Sequence, residues 1–464
     1  MAKPLTLHRR LTDVQEQDDL NGKRNYLPLD ALHAIINENN LFVILVHLGV
    51  PWDIKKLMDA RVTDDHLPLF KNKRGKYGEQ LQSACNASVV FDPPDEWEEQ
   101  VVDGFIEKQW LVQAPVFETA GAHRILDALC PLPITKMDTD IHSQRSVVYK
   151  TTVHRHHQQG FLPESPNLRV ALKEFKYRGD FQQERENLAK IRKLRNKHIT
   201  LNFETFSQSD RSYIVFPWAE GGDLENFWHS RDDKPRTPQL ALWSLEQMLG
   251  LSGALHALHE QIGEEANCRH GDLKPANILH FLTGSGEGTL KISDFGISRI
   301  HQDATFERQE KPTITRATSP SYEAPEAIMW TKQARSRKYD IWSLGCILLE
   351  FTIWLVQDWK AVEKFNNARR LKVPQPGGKT WAHFYQIEGT AVFVHPEVTR
   401  TMTHLGRTKQ AAPGTALGDL LDVIQKSLVR IEVKERLDAK SLYEKLQQIT
   451  SKARYNSTYL FGLP

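Results

Sequence analysis

The stretch His270-Gly271-Asp272-Leu273-Lys274-Pro275-Ala276-Asn277-Ile278-Leu279 constrains this chain more than any other. It sets an acid, an ammonium and an amide into one short run flanked by apolar residues. Asp294-Phe295-Gly296, Tyr322-Glu323-Ala324-Pro325-Glu326 and Asp340-Ile341-Trp342-Ser343-Leu344-Gly345 follow in that order. Any one of these runs could be ordinary loop and capping residues; the ordered set is far more specific.

The rest of the sequence sets the bounds. A chain of 464 residues has room for two or three domains. A net charge of +2 is too small for whole-chain capture of nucleic acid or an anionic membrane. The apolar run Leu41–Leu48 is too short to span a bilayer, and the N-terminus has no leader pattern, so no export is expected. Cys85, Cys130, Cys268 and Cys346 are scattered without a CxxC pair, which points to buried thiols in a reducing compartment. A cytoplasmic location, with the nucleus as an alternative, follows.

Apolar spacing in residues 1–133 predicts mostly helix, with a loop at Lys71–Gly78. Past Pro131-Leu132-Pro133 the texture turns to short β-branched runs, RSVVYKTTV, LRVALKEF and RSYIVFPW. From about Gly221 helical patterns return, with ALWSLEQMLGLSGALHALHE the clearest. A small sheet domain is therefore followed by a larger helical one. The run His154-Arg155-His156-His157 reads as a solvated hairpin loop rather than a metal site, and tryptophans 97, 110, 342 and 354 read as core.

On its motifs the sequence resembles a eukaryotic-type protein kinase of the Ser/Thr class over roughly residues 134–450. The resemblance implies an α+β, two-lobed kinase fold, with N-lobe and hinge at 134–220, C-lobe at 221–450 and a tail at 451–464. The stretches LFVILVHLGVPWDIKKLMDARVTDDHLPL and KQWLVQAPVF are similar to fungal kinase-like proteins with a helical N-terminal extension. A regulatory or partner-binding role for residues 1–133 is expected.

The resemblance also implies roles. Phosphoryl transfer needs positioning and charge neutralisation more than covalent help. Asp272 would accept the proton of the incoming hydroxyl and Lys274 would reach the transferring phosphate. Asn277 and Asp294 would supply oxygens to Mg2+, a hard cation. Lys173, in Val170-Ala171-Leu172-Lys173, would anchor ATP, and strand alternation puts Ala171 and Lys173 on one face. Phe181, Glu184, Leu188 and Ile191 form one helical stripe, so Glu184 is the expected partner of that lysine. Glu186 lies about 200° further round the helix. Phe216, Pro217 and Ala219 would form the adenine edge, Pro217 offering its carbonyl and Ala219 its N–H, with Val148, Ala171 and Leu279 around the base. His270, Phe295, Thr318, Glu326, Asp340 and Arg436 take structural places, Glu326 and Arg436 as an ion pair and Asp340 as a brace for the catalytic loop. Lysine at 274 implies a serine or threonine acceptor on a protein substrate.

Two departures stand out. Ile141, Ser143 and Ser146 occupy positions where the phosphate loop of the family carries glycines, which let backbone N–H groups approach phosphates. Gly271 stands where most members carry an arginine that holds an activation-segment phosphate. A working kinase with a tolerant loop and a nucleotide-binding pseudokinase scaffold both remain open.

Overall fold

The computed structural model describes residues 11–20, 24–28, 39–75, 78–161, 168–262, 267–282, 286–296, 298–301, 320–329, 336–370 and 382–461. The chain divides into two compact units, Met1–Phe181 with Asn202–Trp218, and Gln182–Leu201 with Ala219–Pro464.

The first unit starts with two short paired strands, β1 (Glu16–Gln17) and β2 (Asn25–Tyr26). Helix α1 (Asn40–Leu48) has sharp ends. Asn39 caps its N-terminus by accepting from the Phe42 N–H at 2.8 Å, and Gly49 closes it at φ +80°. Asp64 takes the N–H groups of Asn40 and Leu41 at 2.7 and 2.9 Å. Helices α2 (Ile54–Asp59) and α3 (Glu99–Lys108) flank the antiparallel strands β3 (Leu69–Gly75), β4 (Gly78–Ser83) and β5 (Val90–Phe91). Leu41, Ile44, Leu69, Leu81 and Phe105 meet in one core.

The expectation of a mostly helical N-terminal region is therefore corrected: its described residues mix helix and sheet, and of the expected loop Lys71–Gly78, residues 71–75 lie in β3 and Gly78 in β4. The polar strands LFKNKRG and GEQLQS show almost no period-2 alternation. Tertiary contact fixes them, with the buried Gln109 side chain bonding the Leu69 N–H and carbonyl at 2.7 and 2.9 Å.

The expected boundary at residue 133 falls inside this unit. Five strands, β8 (Ile134–His142), β9 (Ser146–Val153), β11 (Leu168–Phe175), β12 (Glu204–Gln208) and β13 (Arg211–Pro217), form an antiparallel sheet ordered β8-β9-β11-β13-β12. Upstream residues add to it. Strand β7 (His123–Leu126) pairs in parallel with β12 as a sixth strand, and β6 (Phe117–Glu118) pairs with β10 (Gln158–Gln159). Phe117 and Leu132 share one core with Val153, Leu172 and Phe206. The fully buried Asp18 accepts the N–H groups of Leu20 and Leu132 at 2.7 and 2.9 Å. His154 and His157 pack against Tyr26, and His157 is buried, so the histidine run is part of this packing rather than a solvated loop.

Helix α4 (Arg178–Ile191) carries the chain into the second unit, which begins at Gln182. There α5 (Leu224–Ser230) and α6 (Pro238–Glu260) precede β14 (Asn267–Arg269), which pairs with β17 (Arg299–His301). Between them runs the hairpin β15 (Ile278–Phe281) and β16 (Thr289–Ile292). Thr237 caps α6, and Pro238 at its first position needs no N–H partner. After α7 (Glu326–Met329) comes α8 (Lys338–Val356), buried from Tyr339 to Leu355. It is long and apolar enough to cross a membrane, yet 94% of its apolar window is buried inside the unit. Helix α9 (Trp359–Arg369), the hairpin β18 (Tyr385–Glu388) and β19 (Ala391–Val394), and helices α10 (Pro396–Leu405), α11 (Ala416–Val423), α12 (Ala439–Tyr455) and α13 (Ser457–Phe461) complete the unit. The four tryptophans expected in the core are 0–7% exposed.

Candidate active site

Asp340, in the first turn of α8, organises the stretch that begins at His270. Its carboxylate accepts the N–H of His270 and of Gly271, each at 2.8 Å, and lies 2.9 Å from His259 Nε2. Burial alone would push its carboxyl up. The hydrogen bond and charge of His259, the charge of His270 and the Gly271 N–H outweigh that and hold it below the ordinary carboxylate range. Gly271 sits at φ +85°, where glycine alone is free of steric cost. Arg269, one residue from the position of the missing arginine, is buried with its guanidinium 5.7 Å above the Tyr339 ring.

His270 locks this loop to the next motif. Its Nε2 donates to the Ser293 carbonyl at 2.9 Å, its Nδ1 accepts the Asp272 N–H at 3.3 Å, and its ring meets Phe295 edge-on at 5.2 Å. Beyond it the polar groups converge. Lys274 Nζ stands 2.9 Å from Asp272 Oδ2, and Asn277 Nδ2 donates to the Asp272 carbonyl at 2.7 Å and to Oδ2 at 3.2 Å. Ser293 returns the favour from the β16 side, its N–H and hydroxyl both donating to the Asn277 carbonyl at 2.9 and 3.0 Å.

Asp294 holds φ +62°, a left-handed backbone that a non-glycine residue adopts at a cost of about 1–3 kcal/mol. Glycine two residues later leaves room for a neighbouring carboxylate. A Cβ on Gly296 would come within 2.7 Å of Glu184 Oε2 and 3.4 Å of Asp294 Oδ1. The stripe on α4 is buried as its spacing predicts, Phe181, Glu184, Leu188 and Ile191 being 0–3% exposed, while Glu186 is exposed. Asn187, three residues past Glu184, donates to the carbonyls of Phe295 and Ser298, each at 3.0 Å. The sequence reading missed Asn187, although it lies on the stripe's own face.

Among the described residues no group of three or more His, Cys, Asp and Glu could hold a metal. Asn277 and Asp294 make up one amide and one carboxylate. That donor set fits a hard, water-retaining cation such as Mg2+ that also takes oxygens from a phosphate and from solvent.

The first unit carries the remaining candidates. On β11, Val170 and Leu172 are buried in the sheet core, while Ala171 and Lys173 are partly exposed on the opposite face. Register puts Val148 and Ile214 opposite Lys173, and Lys150 and Phe216 opposite Ala171. Val148, Ala171, Lys173 and Phe216 therefore share one face. Lys173 Nζ lies 5.2 Å from the Phe175 ring centroid. Pro217 ends β13; Ala219 and Leu279 lie in the second unit, Ala219 buried and Leu279 half-buried.

Strands β8 and β9 stay paired up to Ile141↔Val148 and His142↔Val147, so the phosphate-loop candidate is a tight hairpin tip. Ser143 Oγ accepts the N–H of Ser146 at 3.0 Å and of Arg145 at 3.3 Å, and donates to the Ser146 carbonyl at 2.9 Å. The Ser143 N–H donates to that same carbonyl at 2.9 Å. The serines thus build a turn that satisfies its own amides.

Glu326 and Arg436 form a buried bidentate pair with both contacts at 2.7 Å. The guanidinium also reaches the carbonyls of Arg430, Lys338 and Ile431 at 2.8, 3.2 and 3.2 Å. Thr318 lies outside the described residues.

Comparison with known proteins gives the family. A protein kinase domain model matches residues 162–445, starting beyond the β8–β9 hairpin. Serine/threonine-protein kinase Nek3 of Mus musculus is 30% identical over 192 residues, covering 41% of this chain and 34% of its own. Nek2 of Homo sapiens is 32% identical over 163 residues, 34% of each. Calcium/calmodulin-dependent protein kinase cmkA of Emericella nidulans is 32% identical over 170 residues, 37% of each. The chain thus spans about a third of the length of these curated relatives. With the domain model covering more than half of it, the chain belongs to the protein kinase family.

Proposed function

We propose that the chain transfers the γ-phosphoryl group of ATP to a serine or threonine hydroxyl of a protein. The observation that carries this reading is the Asp272–Lys274–Asn277 cluster, held on a backbone that the buried Asp340 braces. Asp272 would orient the acceptor hydroxyl and take its proton as the oxygen attacks the γ-phosphorus and the bond to the bridging oxygen breaks, releasing ADP. Lys274 would set its ammonium against the transferring group and leave Asp272 anionic. Asn277 and Asp294 would hold Mg2+, which when bound would supply charge to neutralise the phosphate oxygens. Lys173 would grip the phosphates, with Glu184 its candidate partner, and Val148, Ala171, Phe216, Pro217, Ala219 and Leu279 would receive the base.

Residues 1–133, similar in part to an extension of fungal kinase-like proteins, would serve a regulatory partner. A cytoplasmic or nuclear location belongs to the same proposal, without nucleic acid or membrane as partner. Incubation with labelled ATP, Mg2+ and a basic protein acceptor, beside an Asp294→Asn control, tests the reading. Label transfer by the wild type alone is the expected result; nucleotide binding without transfer would overturn it.

A second reading, a nucleotide-binding pseudokinase scaffold, draws on the Ser143 turn, whose amides are already bonded within the turn. It predicts that very outcome of binding without turnover.

A further inference from the structure

The turn between β12 and β13 takes no part in the chemistry above, yet it closes one side of a cavity of about 330 Å³ in the first unit. Separate stretches of chain line it. Arg24 comes just ahead of β2, Ala128 just past β7, and Gln208, Ser209, Asp210 and Arg211 form the turn. The extension and the sheet of residues 134–217 therefore meet at this cavity.

Side chains of the site hold its walls. Gln208, 5% exposed, donates through Nε2 to the carbonyls of Asp127 and Cys130 at 2.9 and 2.7 Å. Arg24 donates through Nη1 to the Ala128 carbonyl. Ser209 and Asp210 connect the paired residues Gln208 and Arg211, and Ser209 holds φ +54°, a left-handed backbone that residues other than glycine seldom adopt. With these carbonyls taken, the charged groups set what the cavity offers a ligand.

Two guanidiniums, Arg24 and Arg211, stand against one lining carboxylate, Asp210. The acids behind the walls are engaged elsewhere. Asp18 accepts the N–H groups of Leu20 and Leu132, Asp127 accepts the Leu129 N–H at 2.8 Å, and Glu174 accepts the Tyr149 hydroxyl at 3.0 Å. Glu174 also steadies one edge of Arg211, with 3.7 Å between Oε1 and Nε. The lining is cationic on balance. A carboxylate has two oxygens in one plane, which a single guanidinium fork satisfies. Two arginines on different stretches of chain suit an anion whose oxygens point in three directions.

We propose that this cavity binds a phosphate monoester, clasped by Arg24 from the extension and by Arg211 from the turn. The bound group ties the segment ahead of β2 to the β12–β13 turn.

The test uses the full chain in isothermal titrations at constant ionic strength with O-phosphoserine, glucose 6-phosphate, a short phosphoserine peptide and acetate. A monoester should bind with Kd of about 1 mM or tighter, and acetate at least about tenfold more weakly. Arg24→Met and Arg211→Met should each weaken monoester binding about tenfold or more, as loss of a charge-assisted hydrogen bond does. Asp210→Asn, on the exposed turn, should tighten it about two- to fivefold by removing a like charge. Arg400→Met, a surface arginine of the second unit, should leave it unchanged. In hydrogen exchange the monoester should slow amides within residues 124–130 and 205–212 at least about threefold, with those of 271–277 unchanged. A peptide that binds at least about tenfold tighter than both small esters supports the proposal with a phosphorylated protein segment as the source; comparable affinities support it with a free phosphate ester. Absence of monoester binding at about 10 mM, equal binding of acetate, or full affinity in either arginine variant overturns it. Protection confined to residues 271–277 overturns it as well, because the phosphate then sits at the proposed transfer site.

Discussion

Under the proposed function the Asp272 stretch of the second unit and the hairpin tip of the first would both serve the phosphates of ATP, and they are built on opposite principles. In that reading Asp272, Lys274, Asn277 and Asp294 would work through side-chain atoms, so their identities would follow from the chemistry. The tip at Ser143–Ser146 would work through backbone N–H groups, which every residue except proline supplies. There the side chain decides only whether those groups are available. Ser143 takes two of them for itself. A site can therefore keep every reacting side chain and still differ from its relatives in how firmly it holds the nucleotide.

The largest expected effect lies on the side-chain half. Asp272→Asn keeps the shape of the residue and removes its negative charge. Phosphoryl transfer should fall by about 10²–10⁴-fold, the usual contribution of a positioned general base. Thermal unfolding should show the fold intact. Transfer at the wild-type rate would mean that Asp272 does no chemistry.

Next comes the scaffold beneath it. Arg436→Met leaves the buried Glu326 without its fork of donors, and destabilisation of about 3–5 kcal/mol is expected in a denaturant titration. Adding Glu326→Gln should recover much of that loss, because the cost comes from the stranded charge. A single variant that unfolds at the wild-type midpoint would place the pair among ordinary surface contacts.

On the first unit the counterpart is Glu204, buried on β12 and facing the β6 and β7 strands. Its carboxylate accepts the Glu118 N–H and lies 3.3 Å from Arg124, which also reaches the Glu118 carboxylate. Burial, only partly offset by Arg124 and the Glu118 N–H, pushes the Glu204 carboxyl up to about 7. The folded protein thus keeps this proton while the unfolded chain releases it near the ordinary glutamate range. Native protein binds more protons between these limits, so stability falls as pH rises from about 4.5 to about 7 and stays lower above. Glu204→Gln removes that dependence. The stability gap between variant and wild type should shift by about 2–3 kcal/mol in favour of the variant across that window. A gap that does not change with pH would show that Glu204 stays ionised in its buried setting.

How much of this the sequence shows depends on which atoms carry the information. The stripe Phe181, Glu184, Leu188 and Ile191 is legible because helical period and burial coincide, and they separate Glu184 from Glu186 without further help. The alternation on β11 places Ala171 and Lys173 equally well. Strands β3 and β4 are not legible, since polar residues dominate them and Gln109 holds β3 in place; nor is β7, four residues long and set by its pairing with β12. The cavity at the β12–β13 turn is hidden too, since it joins stretches far apart in the chain with no motif around them. The Ser143 turn is hidden for another reason: the missing glycines are visible, but what the serine hydroxyl does with the amides requires coordinates.

The smallest effect would decide the comparison most finely. Ser143→Ala removes the hydroxyl and frees the N–H groups of Arg145 and Ser146, keeping the Cβ; Ser143→Gly removes the Cβ as well. If these amides meet phosphate, ATP KM should fall about three- to fivefold in the alanine variant, roughly the net worth of one hydrogen bond. Glycine adds two opposing contributions. It opens space for a phosphate, and it loosens the turn at a cost of about 0.5–1 kcal/mol. A glycine variant that binds ATP more tightly than alanine means that the Cβ stands in the way of the phosphate. Weaker binding than alanine means that order in the turn matters more than space. If ATP KM moves in neither variant, the tip amides do not touch the nucleotide. The side-chain set would then be holding ATP without a phosphate loop, and the contrast between the two halves of the site would have to be drawn elsewhere.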